Sequence, residues 1–121
     1  MVLDMEAGME HFSRGTTRNS DTLLIVAEPY YKSLETAARI SQLSTELGIA
    51  RTFVIANKIR RSDAEHVAKF AAERGMNLLA EIPYDESVVE ADRVGIAPMD
   101  YDSSGVVATE VDALAERLLS M

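Results

Sequence analysis

The chain contains no cysteine, which excludes a disulfide framework, a thiolate metal site and a thiol nucleophile. His11 and His66 are the only imidazoles, so a structural metal site is not expected. Long apolar runs are also missing. The longest, Leu23-Leu24-Ile25-Val26-Ala27, falls far short of the ~20 residues that a membrane-spanning helix needs, and no membrane span is expected. Met1-Val2-Leu3-Asp4 has no basic stretch ahead of an apolar one, so nothing marks the chain for secretion and the expected location is cytoplasmic. Positive charge is scarce: 12 Lys and Arg stand against 20 Asp and Glu, for a net charge of −8. Arg60-Arg61 and the scattered Arg14, Arg18 and Arg51 do not offset that excess, so a phosphate backbone is repelled and nucleic acid is not an expected partner.

What is present is an ordinary globular composition, 47% hydrophobic and 26% charged over 121 residues, which fits a single domain with a real core. Thr22 to Ala27 and Thr52 to Ala56 are short apolar runs rich in β-branched residues, the pattern of strands buried on both faces of a parallel sheet. Between them Ser33 to Leu47 reads as a helix, with Ala37, Ile40, Leu43 and Leu47 recurring at spacings of three and four before Gly48 closes it. Ser62-Asp63-Ala64-Glu65 has the form of a capping box that starts a helix at Asp63, and Gly75 ends it. Leu78 to Ile82 reads as a third strand stopped by Pro83, with Glu81 placing it near an edge. Asp85-Glu86 opens a short helix to about Arg93, Ile96 to Ser103 reads as a loop, and Val107, Val111, Leu114 and Leu118 form the stripe of a last helix. Met1 to Asp4 reads as a strand already under way. The expected fold class is α/β, a three-layer, mostly parallel sheet with helices on both faces, in one domain over residues 1–121.

Ligands in open parallel sheets bind at the carboxyl ends of the strands, and here those ends are polar: Asp4 to Gly8, Glu28-Pro29, Asn57-Lys58 and Pro83-Tyr84-Asp85. An aspartate that ends an apolar strand, with a glycine four residues later, suits a nucleotide switch. The carboxylate can hold a Mg²⁺-bound water, and the glycine amide can approach a γ-phosphate. The same residues also suit a capped turn. Asn57 carries an amide that both donates and accepts, as recognition of an adenine edge requires, and it equally suits a turn. Asp85 reads first as a helix N-cap. Pro83 either packs against a base or only ends a strand.

These stretches together resemble the carbon monoxide dehydrogenase nickel-insertion ATPases, a branch of the P-loop group that includes the septum-site and partition ATPases and the nitrogenase iron protein. The matching residues are Asp4-Met5-Glu6-Ala7-Gly8 with Glu10-His11, Val26-Ala27-Glu28-Pro29 with Ser33-Leu34-Glu35-Thr36-Ala37, Ala56-Asn57-Lys58, and Ile82-Pro83-Tyr84-Asp85. They occur in order along almost the whole chain.

The resemblance implies roles. Asp4 corresponds to the switch aspartate that acts in catalysis and on the metal, and Gly8 to the glycine facing the γ-phosphate. Asn57 corresponds to the adenine-recognising asparagine, and Pro83 and Asp85 to the loop over the base. Glu6 and His11 lie in or just after the switch, with no role fixed. The implied cofactors are ATP and Mg²⁺. The implied partners are ATP or ADP, a missing amino-terminal half or a chain that supplies it, and a second copy in a homodimer.

The chain departs from the family in having no G-x-x-x-x-G-K-[ST] loop, no first switch and no cysteine pair. The resemblance is therefore to a carboxyl-terminal half, a partial P-loop fold without its glycine-loop strand. Such a half is expected to bind nucleotide weakly and not to hydrolyse ATP alone. In this class of sheet the missing strand lies between those ending at Asp4 and Glu28. Either the two close together, or another chain fills the gap, or the sequence starts partway through a longer product, and the last two are favoured. The alternative function is a non-catalytic α/β interaction module, a degenerate or split ATPase remnant.

Overall fold

The computed structural model describes residues 22–121. The expected strand at Met1 to Asp4 lies outside that range. β1 (Thr22–Ala27) leads into α1 (Tyr31–Glu46), and β2 (Arg51–Ile59) into α2 (Ala64–Arg74). β3 (Leu78–Pro83) is followed by α3 (Glu86–Arg93), the one-turn α4 (Pro98–Tyr101) and α5 (Val106–Leu119). The strands form one parallel sheet in the order β1-β2-β3, with helices on both sides. Parallel neighbours need a crossover, and α1 and α2 supply the two crossovers here.

The main core lies between the sheet and these two helices. Ile25 and Ala27 of β1, Val54 and Ala56 of β2, and Leu34, Ala37, Val67 and Ala71 of the helices form one buried cluster. The alanines set the spacing, because a small residue at each contact lets the helix backbone approach the strands closely. Full burial of Leu34 alone, at 1% exposure, is worth about 1.5–3 kcal/mol. The α1–α2 seam is closed at its rim by Tyr31, whose ring meets that of Phe70 edge-on at 6.5 Å, and by Arg74, which pairs with Glu35 and lies over the Phe70 ring. Gly75 terminates α2 at φ 68°. There its N–H donates to Ala72 O and that of Met76 to Ala71 O, the paired bonds of a left-handed helix end.

Several expectations are corrected. Burial of β1 on both faces does not hold: Ile25 and Ala27 are buried, but Leu24 is 38% and Val26 64% exposed, because among the described residues α1 packs on one face only and no strand pairs with the outer edge. The capping box at Ser62 does not form. Asp63 accepts from the Arg60 N–H instead, at 3.0 Å, within a turn that the Asp63 N–H closes onto Arg60 O, and the helix starts at Ala64. Ile96 to Ser103, expected to be a loop, contains α4, begun by Pro98 in the first turn, where proline lacks only an N–H that would be orphaned anyway. α1 starts at Tyr31, two residues before Ser33, and β2 runs on through Asn57 and Lys58 to Ile59.

Candidate functional site

Because the three strands are parallel, their carboxyl ends lie along one edge of the sheet. The register pairs Ala27 with Ala56 and Ile59 with Pro83, so Glu28, Asn57 and Pro83 follow one another across that edge. The joins are hydrogen-bonded. The Glu28 N–H donates to Ser33 Oγ at 2.9 Å, which ties the end of β1 to the first turn of α1. The Tyr84 N–H donates to Ile59 O at 3.0 Å, which ties the loop after β3 to the end of β2.

The end of β2 is irregular. Its pairing with β3 shifts between Ala56 and Ile59, and Lys58 stands at φ 57°, the only non-glycine residue with positive φ among those described. A left-handed L-residue is disfavoured by close approach of its Cβ to the carbonyl, so the conformation must be held from outside. One hold is visible: Lys58 Nζ lies 2.8 Å from Glu28 Oε1. The hydrogen bond and the charge of Glu28 raise the Lys58 pKa above its usual 10.5, so the ammonium is fixed at neutral pH. On the far side of the bulge the Arg60 guanidinium covers the Tyr84 ring at 4.4 Å.

Of the residues singled out from sequence, Asn57, Pro83 and Asp85 fall together at this edge. Asn57 is half-buried, and among the described residues nothing is hydrogen-bonded to its side-chain amide, which carries both donors and an acceptor. Pro83 ends β3 and is half-buried. Asp85 caps α3, with Oδ1 accepting from the Ser87 N–H at 2.8 Å. Asp4 and Gly8, together with Glu6 and His11, lie outside the described residues. No group of three or more His, Cys, Asp or Glu side chains able to hold a metal ion occurs among the described residues. No helix among them is long and apolar enough to cross a membrane.

The edge is open. Two clefts lie elsewhere, one of about 270 Å³ lined by Thr45, Ile49, Arg51 and Asn77 at the amino ends of β2 and β3, and a neighbour that shares Ser41, Thr45 and Gly75 with it. Neither includes Asn57; the first has Arg51 as its one charged lining residue, and the second has Glu46 and Arg74, the latter already paired with Glu35. The strand-end edge is the better candidate on chemistry, though not on concavity. Sequence reasoning noted Glu28 and Lys58 as strand-end residues without joining them. The available signal was register: two apolar runs that end in opposite charges bring those charges together once the runs pair in parallel.

No protein-family model matches the chain. Among curated proteins it is 39% identical over 122 residues to an uncharacterised ATP-binding protein of Methanocaldococcus jannaschii, covering 100% of this chain and 46% of the relative. It is 40% identical over 120 residues to the carbon monoxide dehydrogenase accessory protein CooC of Rhodospirillum rubrum, covering 98% of this chain and 44% of CooC. The chain thus spans less than half the length of these curated relatives. Among solved structures it is similar to the cell division protein MinD of Aquifex aeolicus, with a TM-score of 0.72 at 21% identity over 87% of this chain and 46% of MinD. It is also similar to a ParA family ATPase of Chlorobium tepidum, with a TM-score of 0.71 at 22% identity over 91% of this chain and 46% of that one. Sequence and fold together make the chain a CooC-like member of the MinD/ParA group, equivalent to the carboxyl-terminal portion of those ATPases.

Proposed function

We propose that the chain supplies the switch and adenine-binding half of a Mg·ATP-dependent ATPase of the CooC type, one that serves metal-cofactor maturation and works as a dimer. The observation that supports this reading is the placement of Asn57 and Pro83 near the carboxyl ends of two paired strands, with Asp85 just beyond, in a chain whose relatives include ATP-binding proteins. The Asn57 amide donates to a ring nitrogen and accepts from the exocyclic amine of adenine, the complementary pair of bonds that an adenine edge offers. Pro83 and Asp85 border the base. Asp4 holds a Mg²⁺-bound water, and Gly8 lets its amide face the γ-phosphate. The phosphates need more than this, because backbone amides and a lysine of a glycine-rich loop provide most of the affinity in such sites, and no such loop is encoded here. The chain therefore binds nucleotide weakly and does not turn over without that half. The outer edge of β1, unpaired among the described residues, with Leu24 and Val26 exposed beside it, is where the missing half adds its strand.

The test is titration with a fluorescent ATP analogue, with and without Mg²⁺, on the wild type and Asn57→Ala. Two neutral hydrogen bonds at about 0.5–1.5 kcal/mol each correspond to a loss of affinity of roughly fivefold to a hundredfold. Equal binding by both proteins refutes the adenine assignment, and no saturable binding by either favours a non-catalytic interaction module.

A further inference from the structure

We infer that Glu28 and Lys58 are positioning residues: their ion pair holds the β2 bulge in its left-handed turn and thereby aims the Asn57 amide. This deepens the adenine reading and rests on it for the identity of the ligand, while the positioning itself rests on geometry alone. A register shift between Ala56 and Ile59 encloses Asn57 and Lys58. Lys58 adopts a backbone conformation that its side chain does not favour. A 2.8 Å ion pair runs from that residue to the end of the neighbouring strand. The anchor at the other end is itself fixed, since the Glu28 N–H is bonded to Ser33 Oγ.

With Lys58 at 55% and Glu28 at 38% side-chain exposure, the pair contributes little to global stability. It bears instead on a local conformational choice, in which it offsets part of what one left-handed residue costs and acts together with the other contacts of the bulge. Asn57 directly precedes Lys58, so rotating the Lys58 backbone back to the extended region turns the peptide that carries the Asn57 carbonyl and re-aims its side chain. Arg60 on Tyr84, with Tyr84 bonded to Ile59, braces the bulge from the β3 side. Asn57 is thus held between two braces, of which the Glu28–Lys58 pair is the one that a single charge change removes.

The experiment uses the full chain with ¹⁵N labelling. Glu28→Gln, Lys58→Met and the charge-swapped E28K/K58E are compared with the wild type, with Lys58→Arg as the conservative variant. The nucleotide-free readout is the Asn57 side-chain NH₂ resonance pair. The ligand readout is the preference for Mg·ATP over Mg·ITP, whose base carries a carbonyl in place of the exocyclic amine. Both single neutralisations are expected to shift the Asn57 side-chain resonances, leave the thermal midpoint within a few degrees, and lower the ATP:ITP preference at least threefold. Lys58→Arg and the swapped pair restore both readouts. E28Q/N57A is expected to show no less preference than Asn57→Ala alone, since the pair acts through the amide.

Unmoved Asn57 resonances in both neutralised variants overturn the inference, as does an effect of Glu28→Gln that adds in full to that of Asn57→Ala. If Asn57→Ala itself leaves ATP binding unchanged, the adenine reading fails, and the resonances still decide the positioning role.

Discussion

Lys58 offers a sharp test of the backbone geometry, through two replacements that share one loss and differ in one gain. Alanine and glycine both remove the Lys58 ammonium and so abolish the contact with Glu28, an exposed pair worth about 0.2–1 kcal/mol. They differ at φ 57°. A residue with a Cβ sits there at a cost of about 1–2 kcal/mol. Glycine avoids that cost but gives back part of the gain through greater backbone freedom in the unfolded chain, about 0.5–1 kcal/mol. Lys58→Gly is therefore expected to be more stable than Lys58→Ala by roughly 0.5–1 kcal/mol, and about as stable as the wild type. Urea unfolding followed by circular dichroism reads the difference. With a slope of about 1–1.5 kcal/mol/M for a chain of this size, the midpoint of the glycine variant should lie ~0.5 M above that of the alanine variant. An alanine variant as stable as the glycine variant, or more so, would show that Lys58 is not held left-handed in solution.

Two further perturbations address the same edge. Asp85→Ala removes the cap on the Ser87 N–H and should cost about 0.5–2 kcal/mol in urea unfolding, whereas Asp85→Asn, which keeps an acceptor, should cost a few tenths. An equal loss in both would mean that charge, not capping, is what Asp85 supplies. The Glu28–Lys58 coupling, measured by a double-mutant cycle, should be pH-independent around neutrality and disappear at high pH. The Lys58 pKa is raised above 10.5 in the fold, so its contribution is fully present below the unfolded value and is lost as pH rises through the folded one. A coupling that vanishes instead between pH 6 and 9, or that survives 1 M salt undiminished, contradicts an exposed ammonium–carboxylate pair.

The sheet was legible because its strands are made of apolar β-branched residues, and a parallel sheet requires such runs: Thr22 to Ala27 and the heart of β2 stand out without help. Left-handed helix ends were equally visible, since Gly75 advertises a conformation that few other residues accept. Lys58 adopts the same region with no such sign, because tertiary contacts impose the conformation and lysine does not prefer it. The Ser62 capping motif failed for a related reason: its pattern is local, but the Asp63 carboxylate had a nearer donor in the Arg60 N–H, and the turn that results occupies the place of the cap. α4 was hidden by its length, since four residues are too few to show a helical period. β1 read as buried on both faces because composition reports what a strand can cover. Among the described residues α1 covers one face, and Leu24 and Val26 are exposed on the other. At the site, residue types and their strand-end placement were readable for Asn57, Pro83 and Asp85. The ion pair between Glu28 and Lys58 needed the register of β1 on β2.

Adenine nucleotide at the carboxyl ends of the strands is tested most directly by amide chemical-shift mapping of the full chain during titration with Mg·ATP. Saturable changes centred on Glu28, Asn57, Lys58, Tyr84 and Asp85 are expected. Changes centred instead on Ser41, Thr45, Arg51 and Asn77, which line the cleft at the opposite end of the sheet, would contradict that placement.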